Sequence, residues 1–138
     1  MTHSVPVIQH LLHMPEVRLV GLGGELYAPS QAFIGPASVE QTRDLRVRAF
    51  FLGAAAVNER GVYVESDIER PIKLALMDAA DQVVLVVDSG KFHRAGLVRL
   101  CGLDRVSTLV TDAPPPASVR HEQRRTGLEI LVAETPGE

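Results

Sequence analysis

Apolar and polar positions along this chain follow two rhythms. The stretches Ala49–Val57, Val83–Val87, Ser107–Thr111 and Leu128–Val132 are nearly unbroken runs of apolar or β-branched residues. Such runs read as strands buried on both faces. Shorter strands are expected at Val17–Gly21 and Ala32–Ile34, with Gly23-Gly24 and Asn58–Gly61 as turns. Ile72, Ala75, Leu76 and Ala79 recur at i, i+3, i+4 and i+7 and predict an amphipathic helix whose regular part begins a residue or two before Pro71. Val5, Ile8 and Leu12 predict an opening helix, with Ser4 at its cap and Pro15 at its end. Further helices are expected over residues 36–47, 95–100 and 118–125, the last after the stiff connector Pro114–Pro116.

Strands alternating with helices predict an α/β fold, a mostly parallel sheet with helices on both faces. Such sheets usually open on a strand, whereas this chain opens on a helix. Residues 1–138 are therefore expected to form a single domain that is incomplete at its N-terminus.

Composition narrows the classes of function. Of 138 residues, 46% are hydrophobic and 22% charged, the balance of a chain that folds around a core. A net charge of −3 with scattered arginines argues against a grip on nucleic acid by these residues themselves. Cys101 stands alone, so an intrachain disulfide is excluded and a reducing cytoplasm is the expected compartment. No apolar run approaches the ~20 residues of a membrane span. His10 and His13 share a helix but lack a second ligand pair, so no metal is expected. Neither a P-loop nor a Gly-x-Gly-x-x-Gly is present, and no cofactor is implied.

Candidate chemistry sits where strands end, because loops at the carboxyl ends of strands line the ligand crevice of open α/β sheets. Val83–Val87 runs into Asp88-Ser89-Gly90-Lys91, a small turn with one fixed cation. Lys91 reads either as an anchor for a phosphate or carboxylate or as a solvated lysine. Asp88 reads either as a partner for Lys91 or a sugar hydroxyl, or as a cap for the next helical turn. Asp112, after the strand ending at Thr111, reads either as part of the crevice or as a cap after the strand. Gly53, Ala54 and Ala55 are small enough for a ligand to approach the backbone, or for tight packing. Gly23 and Gly24 make a turn that would also serve a pocket, and Lys73 reads as a surface lysine.

Seven pieces in order carry a family resemblance. They are Thr2-His3-Ser4, Val20-Gly21-Leu22-Gly23-Gly24, Ile34-Gly35-Pro36, Ala49-Phe50-Phe51-Leu52-Gly53-Ala54, Ile72-Lys73-Leu74-Ala75-Leu76-Met77, Val87-Asp88-Ser89-Gly90-Lys91-Phe92 and Thr108-Leu109-Val110-Thr111-Asp112. Together they resemble the C-terminal sensor domain of DeoR-type transcriptional repressors across nearly the whole chain. The resemblance implies a sheet like that of ribose-5-phosphate isomerase and glucosamine-6-phosphate deaminase. It also implies binding of a phosphorylated sugar or related anionic metabolite, with homo-oligomerisation and DNA contact only through a separate N-terminal helix-turn-helix domain. Gly23, Gly24, Gly53, Ala54, Ala55, Asp88, Ser89 and Lys91 are the ligand-binding candidates on this reading.

The sequence also departs from the family pattern. The Asp-x-Gly-Thr-Thr-like loop that precedes the first helix in the family is not in these residues. Ala55-Ala56 stands where an acid and a glycine are usual, and Ser89-Gly90-Lys91 replaces Ser-Ser-Lys. The expected function is effector sensing without catalysis. The alternatives are a small sugar-phosphate isomerase or deaminase, for which Asp88, Asp112, Glu65 and Asp67 are the available carboxylates, or a pure oligomerisation domain.

Overall fold

Three residues near the head of the chain stitch together the first of two units. The computed structural model describes residues 1–134, with one unit over Met1–Leu45 and the second beginning at Arg46. In the first, Thr2–Ser4 runs extended between two segments. The Thr2 N–H donates to the Val20 carbonyl and the Leu22 N–H to the Thr2 carbonyl, while the Phe33 N–H donates to the His3 carbonyl. Helix α1 (Val5–Leu11) follows, with Pro6 in its first turn, where the missing N–H costs nothing. Ser4 occupies the cap position without a side-chain cap, and its own N–H donates to Thr2 Oγ1 at 3.1 Å.

Strands β1 (Glu25–Tyr27) and β2 (Ala32–Ile34) pair antiparallel ahead of helix α2 (Pro36–Glu40). Leu22, Ala32, Ile34 and Ser38 are buried in this unit. Two expectations are corrected here. Residues 17–21 form no strand beyond a bridge from Gly21 to Thr2, and Val17 and Val20 stay exposed. Helix α2 stops at Glu40 rather than near residue 47. The buried Thr42 hydroxyl donates back to the Val39 carbonyl at 2.7 Å, the local bonding by which threonine competes with helix continuation.

The second unit contains strands β3 (Val47–Leu52), β4 (Ala56–Asn58) and β5 (Gly61–Val64), helix α3 (Arg70–Ala79), and strands β6 (Ala80–Val86), β7 (Val98–Cys101) and β8 (Thr108–Thr111). Helix α4 (Ala117–Thr126) and strand β9 (Glu129–Val132) complete it. The first part of the expected strand at residues 49–57 and the expected strands at 83–87, 107–111 and 128–132 form one parallel sheet in the order β3-β6-β8-β9, in line with the α/β reading. The hairpin β4–β5 and strand β7 make a separate antiparallel sheet.

The expected single strand over residues 49–57 is thus two strands in two sheets. In place of the helix expected over residues 95–100, residues 95–97 are irregular and strand β7 begins at Val98, after a 3-10 turn at Ser89–His93. The turn at Asn58–Gly61 forms as read. Asn58 Oδ1 accepts from the Arg60 N–H at 2.8 Å, and Gly61, at φ +137°, leaves no room for a Cβ beside the Cys101 carbonyl.

Leu52, Leu85, Leu109 and Ile130 are register partners across all four parallel strands. Together with Val83, Val87, Val57, Val62, Val64 and Leu100 they belong to one core, which Met77 of α3 and Val119 of α4 join. Residues one position off this row face the other way. There Phe51 is 70% exposed, and Val86 and Leu131 are exposed as well.

Leu85→Ala should cost about 3 kcal/mol, because the side chain is wholly covered. Phe51→Ser should change the stability of the dilute, unassociated chain by less than about 0.5 kcal/mol. Urea denaturation checks both, with a lower midpoint and an unchanged slope expected for Leu85→Ala alone.

Candidate functional site

Parallel pairing in register brings strand ends level, so three positions past the leucine row lie Ala55, Asp88 and Asp112 at the carboxyl edge of the sheet. Asp88 caps the 3-10 turn, its Oδ1 accepting from the Gly90 N–H at 3.0 Å. Asp112 reaches across to the same turn. Its Oδ1 accepts from the Ser89 N–H at 2.6 Å, and its Oδ2 accepts from the Ser89 hydroxyl at 3.4 Å. The Ser89 amide, helped by the Ser89 and Thr111 hydroxyls, holds the Asp112 carboxyl below its ordinary range against a smaller opposing effect of desolvation. The two backbone donors a phosphate would need in this turn are therefore engaged by the chain's own carboxylates. Lys91 is half-buried and makes no ion pair or side-chain hydrogen bond within the described residues.

Gly53, Ala54 and Ala55 connect β3 to β4. The Ala55 N–H donates to the Tyr63 carbonyl at 2.9 Å, and β4 lies against the 3-10 turn. Six of the eight candidate residues (Gly53, Ala54, Ala55, Asp88, Ser89 and Lys91) thus fall in two neighbouring loops of one unit. Gly23 and Gly24 belong to the other unit. There the Gly23 carbonyl accepts from the Ser38 hydroxyl at 2.8 Å and from Gln41 Nε2 at 2.7 Å. A Cβ on Gly24 would overlap Ser38 Oγ, so the packing of this unit accounts for Gly24 without any ligand.

Beside the two loops opens a cleft of about 370 Å³ lined by Ala55, Glu65, Arg94, Ala95, Gly96 and Leu97. Its volume is at the small end of the range for small-molecule sites. Glu65 follows directly on β5, and residues 94–97 link the 3-10 turn to β7. Gly96 is pressed against the Tyr63 side chain, where a Cβ would overlap the ring. That contact fixes the far wall. Arg94 and Glu65 are exposed, with no ion pair or side-chain hydrogen bond among the described residues.

Behind Glu65, Lys73 of α3 is half-buried rather than the surface lysine the sequence suggested. Burial lowers its pKa, with the Glu69 and Glu65 carboxylates opposing that shift. Of the cleft-lining residues only Ala55 was among the ligand-binding candidates. Glu65 and Arg94 lie 29 positions apart in no recognisable motif, and only the pairing of β5 with β7 brings their segments together. Cys101 is buried, and desolvation pushes its thiol up to about 11, too high for a nucleophile at neutral pH. A second groove of about 390 Å³ follows the face of α4 and is lined by Ala117, Arg120, His121, Gln123 and Arg124.

A family model described as the DeoR C terminal sensor domain matches residues 1–113. The glycerol-3-phosphate regulon repressor of Escherichia coli K12 is 32% identical over 119 residues, covering 86% of this chain and 47% of the repressor. The HTH-type transcriptional repressor CsqR of the same strain is 27% identical over 132 residues, 95% of this chain and 51% of that protein. The L-fucose operon activator of that strain is 27% identical over 112 residues, 80% of this chain and 46% of the activator. The chain spans about half the length of the curated relatives it matches.

The Asp112–Ser89 contact carries a pH signature. A depressed carboxylate pKa strengthens the fold above the unfolded value of about 3.9, and that contribution is lost as pH falls through the lower folded value. The Ser89 amide proton, followed by NMR, should therefore titrate with an inflection below about 3.9. In Asp112→Asn this inflection should vanish, since the amide keeps an acceptor but cannot titrate.

Proposed function

The chain belongs to the DeoR C-terminal sensor domain family, and from that premise we propose that it is the effector-binding part of a transcriptional regulator. The effector is a phosphorylated sugar or a related small anionic metabolite. It binds at the carboxyl edge of the parallel sheet, in the cleft beside the Asp88–Lys91 turn, and its binding alters DNA affinity that resides in a separate domain. The observation that carries this reading is the cleft itself, small, open and next to the loops at strand ends where α/β sheets take ligands. Relatives named for a glycerol-3-phosphate regulon and an L-fucose operon support the chemical class. The name HTH-type of another relative supports a separate DNA-binding segment.

Sensing without catalysis fits the carboxylates at the sheet edge. Asp88 and Asp112 each accept from a backbone amide, which favours a structural role for both over proton abstraction and leaves Glu65 as the carboxylate lining the cleft. Homo-oligomerisation is part of the proposal, and the exposed apolar residues Phe51, Val86 and Leu131 on one side of the sheet support it. Action in the cytoplasm, where DNA is within reach, completes it. No helix among the described residues is long and apolar enough to cross a membrane.

Binding to the folded state alone must raise stability, by about 2.7 kcal/mol at a ligand concentration one hundred times Kd. A thermal-shift panel of hexose and pentose phosphates, glycerol 3-phosphate and the unphosphorylated sugars should therefore raise Tm with at least one phosphate ester. Flat melting curves across the whole panel would remove effector sensing and leave assembly alone. Turnover of any of these esters by the purified chain would favour an enzyme instead.

A further inference from the structure

We infer that Arg94 and Glu65 divide ligand recognition in this cleft, Arg94 holding the anionic group and Glu65 the hydroxyls of a polyol monophosphate. The inference rests on the effector-binding reading above and specifies which side chains carry it. Four observations converge on the assignment.

First, Arg94 and Glu65 line the same cleft of about 370 Å³, while Lys91 does not line it. Second, neither side chain forms an ion pair or a side-chain hydrogen bond within the described residues, and Glu65 feels the longer-range charge of Lys73. Arg46 and Arg105 are engaged, with Asp81 at 2.9 Å and Asp78 at 2.7 Å, and Lys91, which has no such partner, lies outside the lining of this cleft. Third, the remaining lining is Ala55, Ala95, Gly96 and Leu97, so no other charged side chain competes for the ligand. Fourth, the turn that sequence position favours as a phosphate cradle has its Ser89 and Gly90 amides engaged by Asp112 and Asp88. A phosphate seated there would meet two carboxylates.

The chemistry follows from the two groups. A guanidinium presents a planar fork of donors that matches two phosphate oxygens at once. A carboxylate has only acceptors and so takes hydroxyl donors, while repelling a second anion. A ligand with a phosphate at one end and hydroxyls at the other satisfies both, and inorganic phosphate or an unphosphorylated sugar satisfies only one. Lys73, half-buried behind Glu65 and flanked by Glu69, offsets part of the acidic charge on that wall. The α4 groove offers Arg120, His121 and Arg124 but no acidic side chain in its lining. It therefore lacks the hydroxyl-reading half.

The test is isothermal titration of the full chain and its variants with inorganic phosphate, glycerol and glycerol 3-phosphate, extended to hexose phosphates. Arg94→Ala should weaken every phosphate ester and inorganic phosphate at least tenfold, with Arg94→Lys recovering part of the loss. Glu65→Ala should leave inorganic phosphate as tight or tighter while reducing the preference for the ester over inorganic phosphate at least tenfold. Arg124→Ala should match the wild type. Both lining side chains are exposed, and an unchanged circular dichroism spectrum and melting curve will confirm that each variant folds. Ester binding that survives Arg94→Ala and Glu65→Ala, or that is lost in Lys91→Ala alone, overturns the assignment and leaves effector sensing standing. A wild-type chain that binds no phosphate ester overturns both.

Discussion

The second unit depends on one row of side chains, Leu52, Leu85, Leu109 and Ile130, which are register partners across four parallel strands. Side chains alternate along a strand, so a slip of one residue would turn the whole row out of the core. That penalty fixes register, and register fixes which loop residues leave the sheet together. Ala55, Asp88 and Asp112 each lie three positions beyond their row member, so hydrophobic packing determines where the polar edge of the molecule begins. Two aspartates leaving adjacent parallel strands would repel each other if left alone. Each instead accepts a backbone N–H from the 3-10 turn between β6 and β7, Asp88 from Gly90 and Asp112 from Ser89. Charge at this edge thereby becomes a clamp that shapes the turn.

The parallel sheet was legible because its strands carry their information locally. Val83–Val87 and Ser107–Thr111 are runs of apolar and β-branched residues that suit a strand, although the side bearing Val86 stays exposed. The periodicity of Ile72, Ala75, Leu76 and Ala79 marks α3, which buries Ile72, Leu76 and Met77. The antiparallel sheet was not legible, and the reasons are physical. Between Ala49 and Val57 the apolar run does not lapse, so nothing local marks the point at Gly53–Ala55 where the chain leaves one sheet for another. Residues 95–100 have helix-compatible composition, yet Arg99 and Cys101 pair with β5. Gly96 sits where only a glycine fits beside Tyr63. Pairing over more than thirty positions outweighs a weak local preference.

The candidate site divides along the same line. Residues next to a strand end, Asp88, Ser89 and Lys91, could be found from the sequence because a strand end is a local feature. What they do could not. Whether an aspartate binds a ligand or caps a turn depends on the amides within its reach, and here both aspartates are taken up by the backbone. Gly23 and Gly24 illustrate the converse. Their turn was readable, but the Ser38 hydroxyl that packs on Gly24 comes from a helix fourteen positions on. Glu65 and Arg94 belong to no motif, since each is one charged residue beside a strand of the antiparallel sheet. Only tertiary pairing makes them neighbours of one cleft.

This separation of roles bears on how a sensor of this size can discriminate. Charge alone attracts any small anion and distinguishes poorly among metabolites that share a phosphate. Discrimination comes from groups that would be left without partners by the wrong ligand, and a carboxylate positioned for hydroxyls imposes that condition. A turn clamped by its own aspartates suits this division, because its amides do not compete for the anion and its shape does not depend on the ligand. The wall formed by Gly96 against Tyr63 adds a second fixed boundary. On the assignment proposed above, the exposed side chains of Glu65 and Arg94 are the parts of this cleft that can adjust to a ligand, while the leucine row holds the register that brings their loops to the sheet edge.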